Sequence, residues 1–308
     1  MVLVSAACFG TLAILAKFGY AAGLHLEELL AYRFLIAAAG LWLLALAAGQ
    51  NPLRLPWRRR LALFGMGSLG YAGQAFSFFS ALKTLSASLV ELVLYTYPAL
   101  VALGAWAFFR RPVGGRHWLA LGGSLAGVAL LLGGLRLGAG PGLLFAAASP
   151  LIYTAYILVG DRVMPGAPAL AAGALATTGA GLSFLALATA AGRLVLPAGP
   201  VAWTIVVAIA LVPTMAAVTL FLASLARIGA GRAALLSTLE PVTTVVLAAL
   251  LLGDRLAPLQ VLGGLLVLAA VVVLQWPARP VSQPNVENEM PAPTWSQEHP
   301  KPDAGSKE

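Results

Sequence analysis

Long apolar runs separated by short polar stretches dominate the chain. A helix crossing about 30 Å of hydrocarbon at about 1.5 Å per residue needs about 20 apolar residues. Five runs of that length lie in the first half: Val2–Tyr20, Leu26–Ala48, Leu61–Leu82, Ser86–Phe108 and His117–Leu135. Five more follow: Gly142–Val159, Ala169–Ala191, Pro200–Leu225, Ala233–Leu252 and Ala257–Gln275. Together they predict an all-α integral membrane protein of ten transmembrane helices. The first run starts beside Met1 with no basic stretch before it, so it is expected to remain as a helix and not to be cleaved as a signal peptide.

Loop charges orient these spans. With the N-terminus inside, the inner loops hold Arg54, Arg58, Arg59, Arg60, Arg110, Arg111, Arg116, Arg162, Arg227 and Arg232, with Arg279 after the last helix. The outer side holds Lys83, Arg136, Arg193 and Arg255. Basic residues mark cytoplasmic loops, so both termini are expected in the cytoplasm. Prolines and scattered charges from Pro277 on predict that residues 277–308 form a disordered cytoplasmic tail with no part in transport.

The chain also repeats itself. Ala81–Arg111 aligns with Ser224–Asp254 without a gap, at a shift of 143 residues that lays Pro98 on Pro241, Leu82 on Leu225 and Ala87 on Ala230. Each half then holds five spans, an odd number, so the second copy is expected upside down. The loop after the fourth span is rich in arginine, whereas its counterpart after the ninth holds Asp254 and Arg255. That difference agrees with inversion. The expected organisation is a first five-helix repeat over 1–138, an inverted second over 139–276, and a central cavity between them. Leu- and Ala-rich helices align easily, so chance similarity is the alternative.

Composition narrows the function. Apolar residues make up 60% of the 308 and charged residues 10%, against about 25% charged in an ordinary soluble domain. A soluble globular protein is excluded. The net charge of +8 sits in short loops, without the basic helix or basic–aromatic interleaving of a nucleic-acid binder, so no nucleic-acid partner is expected. One cysteine and three histidines predict no disulfide, no metal site and no cofactor. No phosphate-cradling glycine loop of an ATPase is present. An intramembrane lipid enzyme would need paired carboxylates with a histidine or metal at the surface, where the loops offer arginines; the chain is not expected to be an enzyme.

Ala81-Leu82-Lys83, the small residues Ser86, Ala87 and Ser88, Tyr97-Pro98 and Phe108-Phe109-Arg110-Arg111 lead into a glycine-rich fifth helix. The second half has Leu239-Glu240-Pro241-Val242, Leu251 through Leu256 and Gly263-Gly264, and Arg33-Phe34 stands early in the second span. In these features, over about residues 1–276, the chain resembles the EamA family of the drug/metabolite transporter superfamily. The resemblance implies a ten-helix bundle of two inverted repeats that exports amino acids or other small metabolites from bacteria. Phe109-Arg110-Arg111 and Gly253-Asp254-Arg255 depart from the Gly-Glu-Arg common after the fourth span, and Phe9 stands where a tryptophan is frequent. These departures bear on subfamily and substrate.

Charges inside hydrocarbon are the sharpest candidates, each costing at least about 2.5 kcal/mol. Glu91 shares a helix face with Ser88 and Tyr95, near the helix-breaking Pro98. Glu240 shares one with Ser237 and Thr244 and directly precedes Pro241. Either acid would contact a substrate amino group or carry a coupling proton; the alternative is a structural carboxylate tied to Arg33 or Lys83, or to a hydroxyl partner at a helix break. Tyr95, Tyr97, Tyr153, Tyr156 and Gln74 are cavity candidates because a hydroxyl or amide facing lipid lacks partners. Arg33 would clamp a carboxylate or, the favoured expectation, make a structural salt bridge with Glu27, Glu28 or Glu91. Lys17 is expected to snorkel. Gly67, Gly70 and Gly73, Gly123 and Gly127, and Gly263 and Gly264 read as close-packing faces.

The function expected is a secondary transporter in the bacterial inner membrane, exporting a small metabolite, foremost an amino acid with a hydrophobic or aromatic side chain. Broad drug or metabolite efflux, a nucleotide- or sugar-type carrier and a non-transporting sensor or assembly factor are the alternatives. Its partners would be a small-molecule substrate, the lipid bilayer and protons. A monomer is expected, with a glycine-face dimer as the other option.

Overall fold

The computed structural model describes residues 1–110, 114–133, 140–228 and 230–276, and regular structure among them is entirely helical. The expected tail, Arg111, Arg136 and the seam at 138/139 lie outside the described residues.

Helices α1 (Val2–Gly10) and α2 (Leu12–Ala21) run end to end through Thr11, whose hydroxyl donates to the Cys8 carbonyl at 2.7 Å. Helix α3 (Leu26–Ala47) opens with the His25 N–H donating to Glu28 Oε1 at 2.9 Å. Helix α4 (Trp57–Gly65) passes through a π-helical segment, Met66–Tyr71, into α5 (Ala72–Leu82). Helix α6 (Ala87–Leu94) is capped by Ser86 and breaks at Tyr95 and Thr96 before α7 (Tyr97–Phe109). Next come α8 (Gly115–Gly133), α9 (Gly140–Val163) with Pro150 inside it, and α10 (Ala169–Ala190). Helix α11 (Gly199–Ala210) leads through a second π segment, Leu211–Ala216, into α12 (Ala217–Ile228). Helices α13 (Ala230–Ser237) and α14 (Leu239–Leu247) meet at Thr238, a third π segment, Ala248–Leu252, follows, and α15 (Pro258–Gln275) is the last described helix.

Eight helical stretches among the described residues are long and apolar enough to cross a membrane. The remaining predicted spans correspond to α4–α5 and to the glycine-rich α8. Both turn apolar side chains outward, with Leu69 80% and Leu119 73% exposed. Elsewhere the outer surface carries Leu43, Phe108, Leu144 and Leu250, while Ser5, Ser88, Thr214, Thr244, Arg33 and Glu91 are buried. Apolar surface of this extent outside and polar groups inside are what a lipid solvent selects.

Small residues set the packing. Helix α8 lies along α15, α3 along α10, α5 and α7 against α9, and α1 against α12 and α14. A Cβ built on Gly127 would stand 2.6 Å from the Gly263 carbonyl oxygen, and one on Gly263 2.6 Å from that of Gly127. These backbones touch because neither residue has a side chain. On α1, a Cβ at Gly10 would meet Thr243 at 2.8 Å. Hydroxyls then stitch the helices: Ser5 donates to the Ala217 carbonyl at 2.6 Å and Thr244 to that of Gly10 at 3.0 Å.

Candidate functional site

Prolines inside apolar helices shape the centre of the bundle. Each lacks an N–H, so the carbonyl four residues earlier loses its helical donor: Leu94 for Pro98, Ile209 for Pro213 and Ser237 for Pro241. With no water in hydrocarbon, such a carbonyl needs another partner or a wet cavity. The Thr214 hydroxyl donates to the Ile209 carbonyl at 2.9 Å. The Tyr95 hydroxyl, from the break between α6 and α7, reaches the Ser237 carbonyl at 2.8 Å. Leu94 lines a cavity.

That cavity, about 320 Å³, lies among the breaks. Glu91, Glu240, Gln74, Tyr95, Tyr97, Tyr153, Tyr156, Ser237 and Arg33 all line it, with Tyr71, Phe9, Phe78, Phe79, Phe221, Thr177 and Thr214. Residues singled out from five different runs thus meet at one place. Pro98 and Pro241 are buried within their helices beside it.

The acids stand in different surroundings. Glu91 is 2% exposed, and among the described residues its Oε1 has no hydrogen-bond partner. Its electrostatic neighbour is Glu240. Among the described residues neither of the alternative ties, to Arg33 or to Lys83, is made. Glu240 Oε2 lies 2.9 Å from the same Tyr95 hydroxyl that reaches Ser237. A hydroxyl carries one hydrogen, so Tyr95 cannot donate to both oxygens at once.

Arg33 departs from the favoured expectation. Among the described residues it makes no salt bridge with Glu27, Glu28 or Glu91; Glu27 pairs with Arg193 at 3.1 Å instead. Arg33 is 2% exposed, its Nε donates to Thr214 Oγ1 at 3.0 Å, and Tyr71 lies beside it. Its guanidinium carbon is 4.6 Å from the Phe34 ring centre and 5.3 Å from that of Phe79. Cation–π attraction therefore holds the charge where a carboxylate was expected. Thr214 was not singled out from the sequence; a proline followed by a hydroxyl residue inside an apolar run, Pro213-Thr214, is the signal that marks it.

Tyrosine rings join the two charged ends. Tyr95 meets Tyr97 at 5.8 Å, Tyr97 meets Tyr153 at 4.7 Å, Tyr153 meets Tyr156 at 6.0 Å, and Tyr156 meets Tyr71 at 5.8 Å, which packs on Phe34 at 4.9 Å. This aromatic wall runs from Glu240 to Arg33. Gln74 Nε2 donates to Ser149 Oγ at 3.3 Å on the facing helix.

Hydrogen bonds tie the helices together at the end of the bundle where α6 begins. Lys17 Nζ donates to the Leu85 carbonyl at 2.7 Å, so it turns inward instead of snorkelling. Asp254 Oδ2 accepts from both the N–H and the hydroxyl of Ser88, each at 3.2 Å. Gly253, at φ +69°, makes the left-handed turn that brings Asp254 back to α6. The Tyr20 hydroxyl donates to the Phe79 carbonyl at 2.8 Å. Towards the other end the lining includes Gly173 near the start of α10 and Gln275 at the end of α15.

A helical bundle with lipid-type surface, broken helices and a charged, aromatic cavity between them has the construction of a membrane carrier. The family comparison agrees: residues 1–133 and 140–276 each match the EamA-like transporter family. The chain belongs to that family and is a multi-pass membrane transporter of the drug/metabolite superfamily. It is 27% identical over 273 residues to the uncharacterized transporter YcbK of Bacillus subtilis (strain 168), covering 85% of this chain and 87% of that protein. A crystal structure of a protein 25% identical to this chain superposes with a TM-score of 0.64, covering 89% of this chain and 95% of the other.

Proposed function

We propose that the chain is a secondary transporter that exports a small amino acid-like metabolite from bacteria by alternating access. The observation that carries this reading is the cavity, where an unpartnered Glu91 carboxylate and the Arg33 guanidinium line the same tyrosine-walled space. A zwitterion supplies what each end lacks: an ammonium for Glu91 and a carboxylate for Arg33. The aromatic wall suits a hydrophobic or aromatic side chain.

In this reading ten helices cross the inner membrane as two inverted repeats, with both termini cytoplasmic. Several features support the repeat. The breaks at Tyr95 and Thr238 are 143 residues apart, and the π segments Met66–Tyr71 and Leu211–Ala216 are 145 apart. Thr11 and Thr154, again 143 apart, both donate back into their own helices. The packing also exchanges: α1 on α12 and α14 mirrors α9 on α5 and α7.

Purified protein in proteoliposomes loaded with labelled amino acids, nucleosides and cationic drugs tests the function. At least one amino acid should leave saturably. Glu91→Gln, at equal reconstitution, should raise KM about tenfold or more, the value of a charge-assisted hydrogen bond. Flux confined to nucleosides or cationic drugs would overturn the amino-acid reading, and no flux across the panel would sink export itself.

A further inference from the structure

The two cavity acids differ in their neighbours. Glu91 Oε1 accepts nothing from the protein, whereas Glu240 is bound to a hydroxyl that also serves the backbone. The Ser237 carbonyl lost its helical donor to Pro241, and the Tyr95 hydroxyl reaches it from the neighbouring helix at 2.8 Å. The same oxygen is 2.9 Å from Glu240 Oε2.

We propose that Glu240 is the binding site for a coupling proton and that Tyr95 is the positioning residue through which the bound proton sets the hydrogen bonding of the α13–α14 break. The hydrogen count allows two arrangements. With Glu240 protonated, its O–H donates to the tyrosine oxygen and the tyrosine O–H donates to the Ser237 carbonyl, so both acceptors are satisfied. With Glu240 ionised, the tyrosine O–H turns to the carboxylate, because a charged acceptor binds it more strongly. The Ser237 carbonyl is then left without a donor in a site where that costs about 1–3 kcal/mol. Loading or unloading one proton therefore changes whether the break is held closed from the other half. No bond other than O–H is made or broken; the proton enters from water in the cavity and leaves to it.

The surroundings fit a single switch. Titratable groups facing Glu240 are Glu91, Tyr95 and Tyr97 from the α6–α7 region and Tyr153 from α9. From α1 it is Gly10 that packs on the Glu240 carbonyl, and on α2 Lys17 is engaged at Leu85. At a shift of 143 residues, the first-half counterpart of Glu240 is Tyr97, and the second-half counterpart of Tyr95 is Thr238, whose hydroxyl stays in its own helix on the Leu235 carbonyl at 2.7 Å. Among the described residues this acid–hydroxyl–carbonyl triad occurs at the second-half break alone. Glu91 is left free for substrate. The purpose of the switch rests on the transporter reading above, whereas its chemistry can be measured without any substrate.

The test uses the full chain in lipid nanodiscs, titrated from acid to alkaline. Infrared difference spectra follow the protonated carboxyl band, and hydrogen exchange corrected for intrinsic rates follows the peptides spanning α13 and α14. Wild type should show a titrating carboxyl band, lost in Glu240→Gln, and a pH-dependent change in exchange around the break. Tyr95→Phe should keep the band, shifted to higher frequency, and lose the change in exchange. Pro241→Ala should also lose it, because the restored N–H supplies the Ser237 carbonyl in both protonation states while Tyr95 and Glu240 are intact. A purely structural Tyr95 would not make Pro241→Ala behave like Tyr95→Phe. Persistence of the full pH-dependent change in Tyr95→Phe or in Pro241→Ala would overturn the proposal, as would an unaltered band in Glu240→Gln. Because these readouts need no transported molecule, an empty substrate screen and a failed switch are distinguishable.

Discussion

Thr214 shows how one side chain resolves two problems. Its hydroxyl donates to the carbonyl orphaned by Pro213 and accepts from Arg33, so backbone and buried charge depend on the same oxygen. Thr214→Val keeps the shape and removes both bonds. It should lower stability by about 1–3 kcal/mol, read as reduced thermal stability in detergent, with Thr214→Ser restoring most of it. Equal stability of Thr214→Val and wild type would mean that Arg33 is held by its aromatic neighbours alone. At this scale the sequence was informative where a residue is costly in lipid: Glu91, Glu240, Gln74 and the tyrosines stand out in apolar runs. It was silent on partners. Glu27, Glu28 and Glu91 are nearer in sequence or more obvious in charge, yet Arg33 chose a threonine 181 residues away and two phenylalanine rings.

Among elements, the apolar runs read as helices because length and composition suffice in a bilayer. The 143-residue shift placed the breaks to within a few residues, since Pro98 and Pro241 announce them. The π segments were announced unevenly: Leu211–Ala216 holds Pro213, whereas Met66–Tyr71 has no proline to mark its widened turn. Small residues were legible as packing faces, but only three dimensions pair Gly127 with Gly263. Gly127→Val should drive α8 from α15, since its Cβ would meet the Gly263 carbonyl and the Val267 backbone. Overpacking of this kind costs about 1–3 kcal/mol or more. Gly122→Ala, with nothing near its Cβ, should leave folded yield unchanged. Thermal unfolding of the pair checks both, and equal midpoints would show that the seam adapts.

For the whole molecule, the hydrogen bonds of Lys17, Ser88 with Asp254, and Tyr20 join the helices at one end of the bundle, the extracytoplasmic end in the proposed topology. A cycle of alternating access must break them. Joining positions 88 and 254 by paired cysteines, in a chain whose Cys8 is replaced, should therefore stop flux when oxidised and restore it on reduction. Continued flux in the oxidised state would show that this end need not open. The α8–α15 seam has the opposite mechanical character. Where two backbones touch directly, no side chain is available to yield, so the two helices turn together like the halves of a bearing. A crosslink there should cost nothing in turnover. In the proposed cycle, the glycines that the sequence offered as a packing face would then be a hinge-free joint, carried along as one body while other contacts part.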